Sequence, residues 1–192
     1  MAEARVRPTL DEQDRQRLAE QLRQEGVSCV QPLPLAAAAY LAHAAHRDRQ
    51  RTVVCVLPGA LALEEFLRNA EALGDDGQPV LSFPAWESWP TLDAPPHPDV
   101  VGDRLRVLRA LNDGSFPALV ATSVQALVQK TLSRAELAAR TTELKVGGEA
   151  DLTSLAESLL DRGYEFTPEV QAKGEACLRG GLLDLWPPGE NW

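Results

Sequence analysis

Apolar residues in the N-terminal part of the chain follow two patterns that alternate, with no internal repeat. Positions three and four residues apart predict helices over Leu35–His46, Ala60–Leu73, Val100–Leu111 and Ser123–Lys130. Short apolar runs predict strands over Val27–Val30, Thr52–Leu57, Pro79–Phe83 and Ala118–Ala121. Thr52–Leu57 is typical of a strand that a parallel sheet buries on both faces. The alternation predicts an α/β domain with a parallel sheet and helices on both faces.

Capping signals add two helices to this part of the chain. Thr9–Glu12 fits a capping box, in which Thr9 and Glu12 satisfy each other's backbone donors, and the helix it opens stops at Gly26. Ser133–Glu136 fits a second capping box, which opens a short helix. The proline-rich segment Pro84–Pro98 predicts an irregular loop instead of a regular element.

The pattern changes near Thr141, so we place a domain boundary there, between residues 1–141 and 142–192. The second part has one predicted helix, Asp151–Asp161, which Gly163 closes. Its predicted strands are short and cover Thr142–Val146, Tyr164–Val170, Ala176–Leu178 and Leu182–Trp186. This order suits a small α+β domain. The last strand has no return strand, so we expect a piece of something longer, or another segment over that edge.

Lysine usage bears on phosphate chemistry. The 19 basic residues include only three lysines, and none precedes Lys130. A phosphate loop needs glycines, a lysine and a hydroxyl residue, whereas the corresponding segment Val30–Ala36 has none of these and contains two prolines. We therefore predict that the α/β domain has no ATPase site and binds no cofactor.

Charge and composition exclude several other classes. The net charge of −9 argues against non-specific binding of nucleic acid by the chain as a whole. The three cysteines show no paired spacing, and His43, His46 and His97 do not complete a metal site. No catalytic arrangement of side chains is recognisable. The absence of a signal peptide and of a long apolar run predicts a cytoplasmic protein without a membrane segment.

Three stretches, in this order and spacing, resemble the N-terminal, UvrB-like module of the bacterial transcription-repair coupling factors (Mfd). The stretches are Phe83–Pro90 with His97–Leu105, then Ala121–Gln129, then Gly163–Pro187. The resemblance implies a degenerate RecA-like domain, 1A, followed by an incomplete domain 2. It also implies a parent family of ATP-dependent DNA translocases whose motor is absent here. Contacts with RNA polymerase and DNA would then belong to other domains of the coupling factor.

The resemblance also implies a partner, the damage-sensor protein UvrA, which domain 2 binds in this family. Within the motif Gly-Glu-x-x-x-Arg-Gly, the UvrA-binding residues would be Arg179, Glu175 and Gly180. A guanidinium there can make bidentate contacts with a partner carboxylate. The alternative is that Arg179 pairs with Glu175 or Asp184 within its own sheet. Where UvrB-type sequences carry a second arginine this chain has Cys177, and Gly180 also suits the backbone of a tight turn.

This resemblance implies a non-catalytic interaction module of transcription-coupled nucleotide excision repair that recruits UvrA. Two other functions stay open at this point. The first is a nucleotide-binding ATPase or helicase fragment, which the lysine-free loop opposes. The second is a DNA-binding module of UvrB type, which the net charge and the missing aromatic hairpin oppose. We expect Trp86 and Trp89 to serve packing, since Glu87 and Asp93 make their surroundings acidic.

Overall fold

A computed structural model describes residues 33–49, 51–74, 80–87, 96–114 and 118–190, together with Gln13 and Glu20. The predicted strand Val27–Val30, the capping box at Thr9–Glu12 and Trp89 lie outside these residues. The described residues fall into two compact units. The first takes those of Met1–Ser82 and Gly114–Gln125, and the second those of Phe83–Asp113 and Ala126–Trp192.

The larger sheet has three parallel strands in the order β1–β3–β2, which confirms the predicted α/β class. Its strands are β1 (Val53–Leu57), β2 (Leu81–Phe83) and β3 (Leu119–Ser123). The helices near β1 in sequence are α1 (Leu35–Arg49) and α2 (Ala60–Leu73). Strands β1 and β3 pair in register from Val53 opposite Leu119 to Leu57 opposite Ser123.

The core of the first unit lies between the sheet and these two helices. Phe66 of α2 is almost completely buried, and Ala39, Ala70 and Ala121 are buried beside it. Small alanine side chains on both helices let their backbones approach closely. The Nε2 atom of His43 donates a hydrogen bond to the Ala70 carbonyl oxygen, at 2.9 Å. The same carbonyl oxygen accepts a bond from the Gly74 N–H at 3.0 Å, so the imidazole is its second donor near the end of α2.

The prediction that Thr52–Leu57 is buried on both faces is wrong. Val54 and Val56 of β1 remain 50% and 48% exposed, so the burial of this strand alternates. All five residues of β3 are buried instead. The physical reason is position in the sheet, because among the described strands β3 is the central one and β1 an outer one.

The second unit contains the small sheet and most of the remaining helices. Its sheet has the order β4–β5–β6, with β4 parallel to β5 and β5 antiparallel to β6. The strands are β4 (Glu165–Phe166), β5 (Glu175–Arg179) and β6 (Leu182–Leu185). Beyond α2 the helices are α3 (Pro98–Asp113), α4 (Val124–Leu127), α5 (Arg134–Ala139) and α6 (Leu152–Asp161). Among the described residues, no helix is long and apolar enough to cross a membrane.

Two predicted strands of this part differ from the structure. Residues Thr142–Val146 form no strand, although their alternation of polar and apolar side chains suits one. Of the predicted strand Tyr164–Val170 only β4 forms. Pro168 lacks the N–H group that continued pairing needs, and the hydroxyl of Thr167 donates to the Glu169 carbonyl oxygen instead.

The capping box at Ser133–Glu136 is confirmed. The Ser133 hydroxyl accepts a hydrogen bond from the Glu136 backbone N–H, and the Glu136 carboxylate accepts one from the Ser133 N–H. The Ser133 hydroxyl also donates to this carboxylate, at 2.7 Å, and this bond together with the one from the Ser133 N–H holds the pKa of Glu136 below its usual range. Asp151 caps α6 in a similar way, through the Thr153 N–H at 3.0 Å. Both helices therefore begin where the sequence predicts.

Helix α3 contacts the turn that follows β6. Gly102 lies against the turn so closely that a Cβ atom at this position would overlap the Pro188 carbonyl oxygen. The Nζ atom of Lys173 lies 2.7 Å from a carboxylate oxygen of Asp99 in the first turn of the helix. These contacts join α3 to the small sheet. The second unit contains residues from both sides of Thr141, and a compact unit can hold helices from two domains. The predicted domain boundary near Thr141 therefore stays a prediction.

A buried guanidinium organises the chain between β2 and α3. Arg104 is 2% exposed and lies between the rings of Phe83 and Trp86, at 4.1 and 4.3 Å from the ring centres. It donates hydrogen bonds to the carbonyl oxygens of Pro84, at 2.7 Å, and Lys130, at 3.4 Å. Burial lowers the pKa of this guanidinium. The arginine therefore holds three separate segments together through its charge, its plane and its donors.

Trp86 is fixed from a second direction by Gln129. The Trp86 backbone N–H donates to the Gln129 side-chain oxygen at 2.7 Å, and the Gln129 amide donates back to the Trp86 carbonyl at 3.2 Å. The side-chain amide of Gln129 thus forms the two hydrogen bonds with the Trp86 backbone that a neighbouring strand would otherwise form. Trp86 serves packing, as predicted.

Replacing Arg104 by leucine should destabilise the protein by about 2–4 kcal/mol. The carbonyl of Pro84 would lose its donor, and both aromatic rings would lose the cation between them. Urea unfolding followed by circular dichroism measures the change. Arg109→Leu on the exposed side of the same helix is the matched control, with an expected effect within about 0.5 kcal/mol. Equal effects of the two variants would contradict this role for Arg104.

The variant Gly102→Ala should destabilise the protein by about 1–3 kcal/mol, because the added methyl group forces α3 away from the turn at Pro188. Gly181→Ala is the control, since a Cβ atom there meets nothing within 4 Å. Thermal unfolding of both variants measures the difference. A Gly102→Ala protein as stable as Gly181→Ala would show that the close approach does not exist in solution.

The hydrogen bond from Lys173 holds the pKa of Asp99 below its usual range. The contact therefore contributes stability above the usual carboxyl range and loses it as the pH falls through the depressed pKa. We expect Lys173→Met to raise the pKa of Asp99, as measured by carbon NMR titration. Lys145→Met should leave that pKa unchanged. An identical Asp99 titration in wild type and Lys173→Met would contradict the contact.

Candidate functional site

Strands β5 and β6 form a tight hairpin that carries all three predicted site residues. Arg179 pairs with Leu182, so Gly180 and Gly181 make a two-residue loop. Gly180 has a φ of +57°, in the left-handed region that side chains disfavour. A glycine with positive φ at the first loop position is typical of a type II′ turn. The prediction that Gly180 meets a backbone requirement is confirmed by this geometry.

Arg179 projects from the hairpin and forms an ion pair with Asp184. Its Nη2 atom lies 2.7 Å from a carboxylate oxygen of Asp184, and the side chains are 62% and 47% exposed. The hydrogen bond raises the pKa of the Arg179 guanidinium further. Of the two internal partners weighed from the sequence, the structure brings Asp184 to Arg179. An ion pair as exposed as this one contributes about 0–1 kcal/mol, so the guanidinium can exchange partners at small cost.

Glu175, the third predicted site residue, lies at the start of β5. Its carboxylate accepts hydrogen bonds from the backbone N–H groups of Gln171, at 2.7 Å, and Ala172, at 2.8 Å. Both bonds lie within the loop that precedes the strand, which Gly174 closes with a φ of +87°. Glu175 therefore shapes this loop, and its contact with a partner protein stays a prediction.

Cys177 faces away from solvent between these two residues. It is 2% exposed, and its thiol donates a hydrogen bond to the Pro168 carbonyl oxygen at 3.1 Å. The position that carries a second arginine in UvrB-type sequences is thus a small buried side chain here. Burial raises the pKa of the other described cysteine, Cys55, to about 11, which keeps its thiol protonated at neutral pH.

The histidines bind backbone groups. Nδ1 of His46 donates to the Arg51 carbonyl oxygen at 3.1 Å. Nδ1 of His97 accepts from the Asp99 N–H at 3.3 Å, so the imidazole acts as the N-cap of α3. Among the described residues, no group of three or more histidine, cysteine or acidic side chains is arranged to hold a metal ion.

No role for Arg104 was predicted from the sequence, although this residue lies within the stretch His97–Leu105 that carries the family resemblance. The aromatic residues Phe83 and Trp86 precede it by many positions, and the carbonyl of Lys130 follows it at a similar distance. The only signal in the sequence was the presence of two aromatic residues, Phe83 and Trp86, before the helix that carries this arginine. It is a weak signal, because their contact depends on the path of the chain between them.

No protein-family model matches the chain. Its sequence is similar to curated transcription-repair-coupling factors from several bacteria. The factor of Myxococcus xanthus is 40% identical over 110 residues, which are 57% of this chain and 9% of the relative. That of Mycobacterium bovis is 33% identical over 125 residues, 62% of this chain and 10% of the relative. That of Haemophilus influenzae is 27% identical over 157 residues, which are 82% of this chain and 13% of the relative.

These matches cover more than half of the chain in each case, yet the chain spans only 9% to 13% of the three relatives' own length. These matches confirm the family resemblance that the three sequence stretches indicated. The chain is related to the transcription-repair-coupling factors through a segment that makes up this small share of their length.

Proposed function

We propose that this chain is a non-catalytic docking module that recruits the nucleotide-excision-repair protein UvrA through the β5–β6 hairpin. The observation that carries the proposal is the exposed guanidinium of Arg179 beside a tight turn, with one exposed carboxylate as its partner. The relatives are named for the coupling of transcription to repair. Recruitment of a repair protein in the cytoplasm fits that name.

The hairpin provides the chemistry that recognition of a carboxylate needs. Arginine carries five N–H donors in a planar fork, and Asp184 binds one of its terminal nitrogens. A partner carboxylate can bind the other edge or replace Asp184. Removing water from such a contact at an interface strengthens it well beyond the exposed pair.

The turn fixes the backbone that carries this guanidinium. Gly180 holds the reversal of the chain in a conformation that is disfavoured for other residues, and the Arg179–Leu182 pair closes it directly. A rigid hairpin reduces the ordering entropy that binding costs. The proposal gives Gly180 a positioning role and Arg179 the direct contact with UvrA.

The proposal that the chain is non-catalytic rests on its sequence. The segment Val30–Ala36 offers neither the backbone donors nor the lysine that phosphate binding requires. From Leu33 onward this segment leads directly into α1, which begins after Pro34.

Charge reversal at Arg179 should weaken UvrA binding. We expect Arg179→Glu to raise the Kd for purified Myxococcus xanthus UvrA by about tenfold or more, since hydrogen bonds to charged groups contribute about 1.5–3 kcal/mol. Isothermal titration calorimetry with the full 192-residue chain measures the affinity. Arg162→Glu is the matched control, because Arg162 is exposed in the same unit and the charge change is equal.

A double variant separates contact with UvrA from the internal ion pair. Arg179→Asp combined with Asp184→Arg keeps a cation and an anion on the hairpin but exchanges their positions. If Arg179 contacts UvrA, this variant binds as weakly as Arg179→Glu. Wild-type affinity of the exchanged variant, or of Arg179→Glu itself, would refute the assignment. Absence of binding by the wild-type chain would refute the proposed function.

A further inference from the structure

Residues Thr142–Val146 have the pattern of a strand but belong to no sheet. All residues from 141 to 150 are exposed, including the apolar side chains of Leu144, which is 58% exposed, and Val146. In the described part of the chain, the backbone groups of residues 142–144 have no hydrogen-bond partner. A turn overlaps the end of the segment: the Gly148 N–H donates to the Lys145 carbonyl oxygen at 2.9 Å, and Gly147 has a φ of +81°. Unpaired backbone groups in a strand-forming sequence favour pairing with another strand.

The charges of this segment indicate which strand fits it. Glu143 and Lys145 flank Leu144, and their carboxylate and ammonium groups lie 3.6 Å apart while both side chains remain largely exposed. In a parallel pair of identical segments in register, each charge would lie beside its own kind, which is unfavourable. In an antiparallel pair centred on Leu144, each glutamate would lie opposite a lysine.

We propose that this segment, Thr142–Val146, binds the same segment of a second copy of the chain as an antiparallel two-stranded pair. Leu144 would lie opposite Leu144 of the other copy, and each Glu143 opposite the other copy's Lys145. Thr142 and Val146 would also face each other, on the side of the pair that carries Leu144. The sequence is therefore complementary to itself about a two-fold axis through Leu144.

Binding exchanges existing contacts for similar ones and adds backbone hydrogen bonds. The two exposed Glu143–Lys145 pairs, one within each chain, give way to two pairs between the chains. Leu144 and Val146, which is fully exposed, lose contact with water. Five residues from each copy make a small interface, so the association is weak, reversible and dependent on protein concentration. It does not involve Arg179 and so does not depend on the proposed UvrA contact.

Sedimentation equilibrium over a range of concentrations tests this pairing with the full chain at low salt. The wild-type protein should form a reversible dimer. Lys145→Glu and Glu143→Lys should each raise the dimer Kd by about tenfold or more, because both attractive pairs become repulsive. The double variant with both exchanges restores the complementarity, and its Kd should return to within about threefold of wild type. Since these side chains are exposed, we expect all three variants to fold, as circular dichroism can verify.

Arg162→Glu is the control for net charge, because it changes the charge by the same amount as Lys145→Glu at an exposed position outside the segment. It should leave the dimer Kd within about threefold of wild type. A wild-type chain that stays monomeric at every concentration would overturn the proposal. A dimer that is insensitive to the single exchanges would also overturn it. The same holds if the double exchange fails to restore the dimer.

Discussion

The second unit depends on one buried cation. Arg104 has lost nearly all contact with water, and its guanidinium is stabilised by two aromatic faces and two backbone carbonyls. A buried charge without such partners would cost several kcal/mol. The chain from Phe83 to Trp86 must therefore keep the path that brings its carbonyl and its rings to α3. That helix in turn lies against the turn after β6, where only a glycine fits at position 102.

The hairpin that carries the candidate site has the opposite character. Its ion pair is exposed and weak, whereas its backbone is fixed by the loop at Gly180 and by the pairing of Arg179 with Leu182. A rigid backbone with an exchangeable charge suits recognition, because binding then orders few groups and replaces one carboxylate by another. The buried charge of Arg104 stabilises the second unit, whereas the exposed charge of Arg179 is available to a partner protein.

Much of this architecture can be predicted from the sequence, and the exceptions have a common cause. Helix α2 has the predicted bounds, because Gly59 and Gly74 flank a strongly periodic run. The capping box at Ser133–Glu136 is equally local. Contacts between distant residues decide the rest: β1 is half exposed because β3 takes the centre of the sheet, and Thr142–Val146 finds no strand to pair with among the described residues. At the site, the turn at Gly180 follows from sequence, whereas the choice of Asp184 over Glu175 depends on the register of two strands.

The central claim is that UvrA contacts the β5–β6 hairpin, and hydrogen–deuterium exchange tests it most directly. Exchange of the full chain would be compared with and without saturating Myxococcus xanthus UvrA. The account predicts slower exchange in peptides that span Glu175–Leu185, with the first unit unchanged. Exchange in the hairpin that stays the same when UvrA is bound would contradict the account, whichever other peptides are protected.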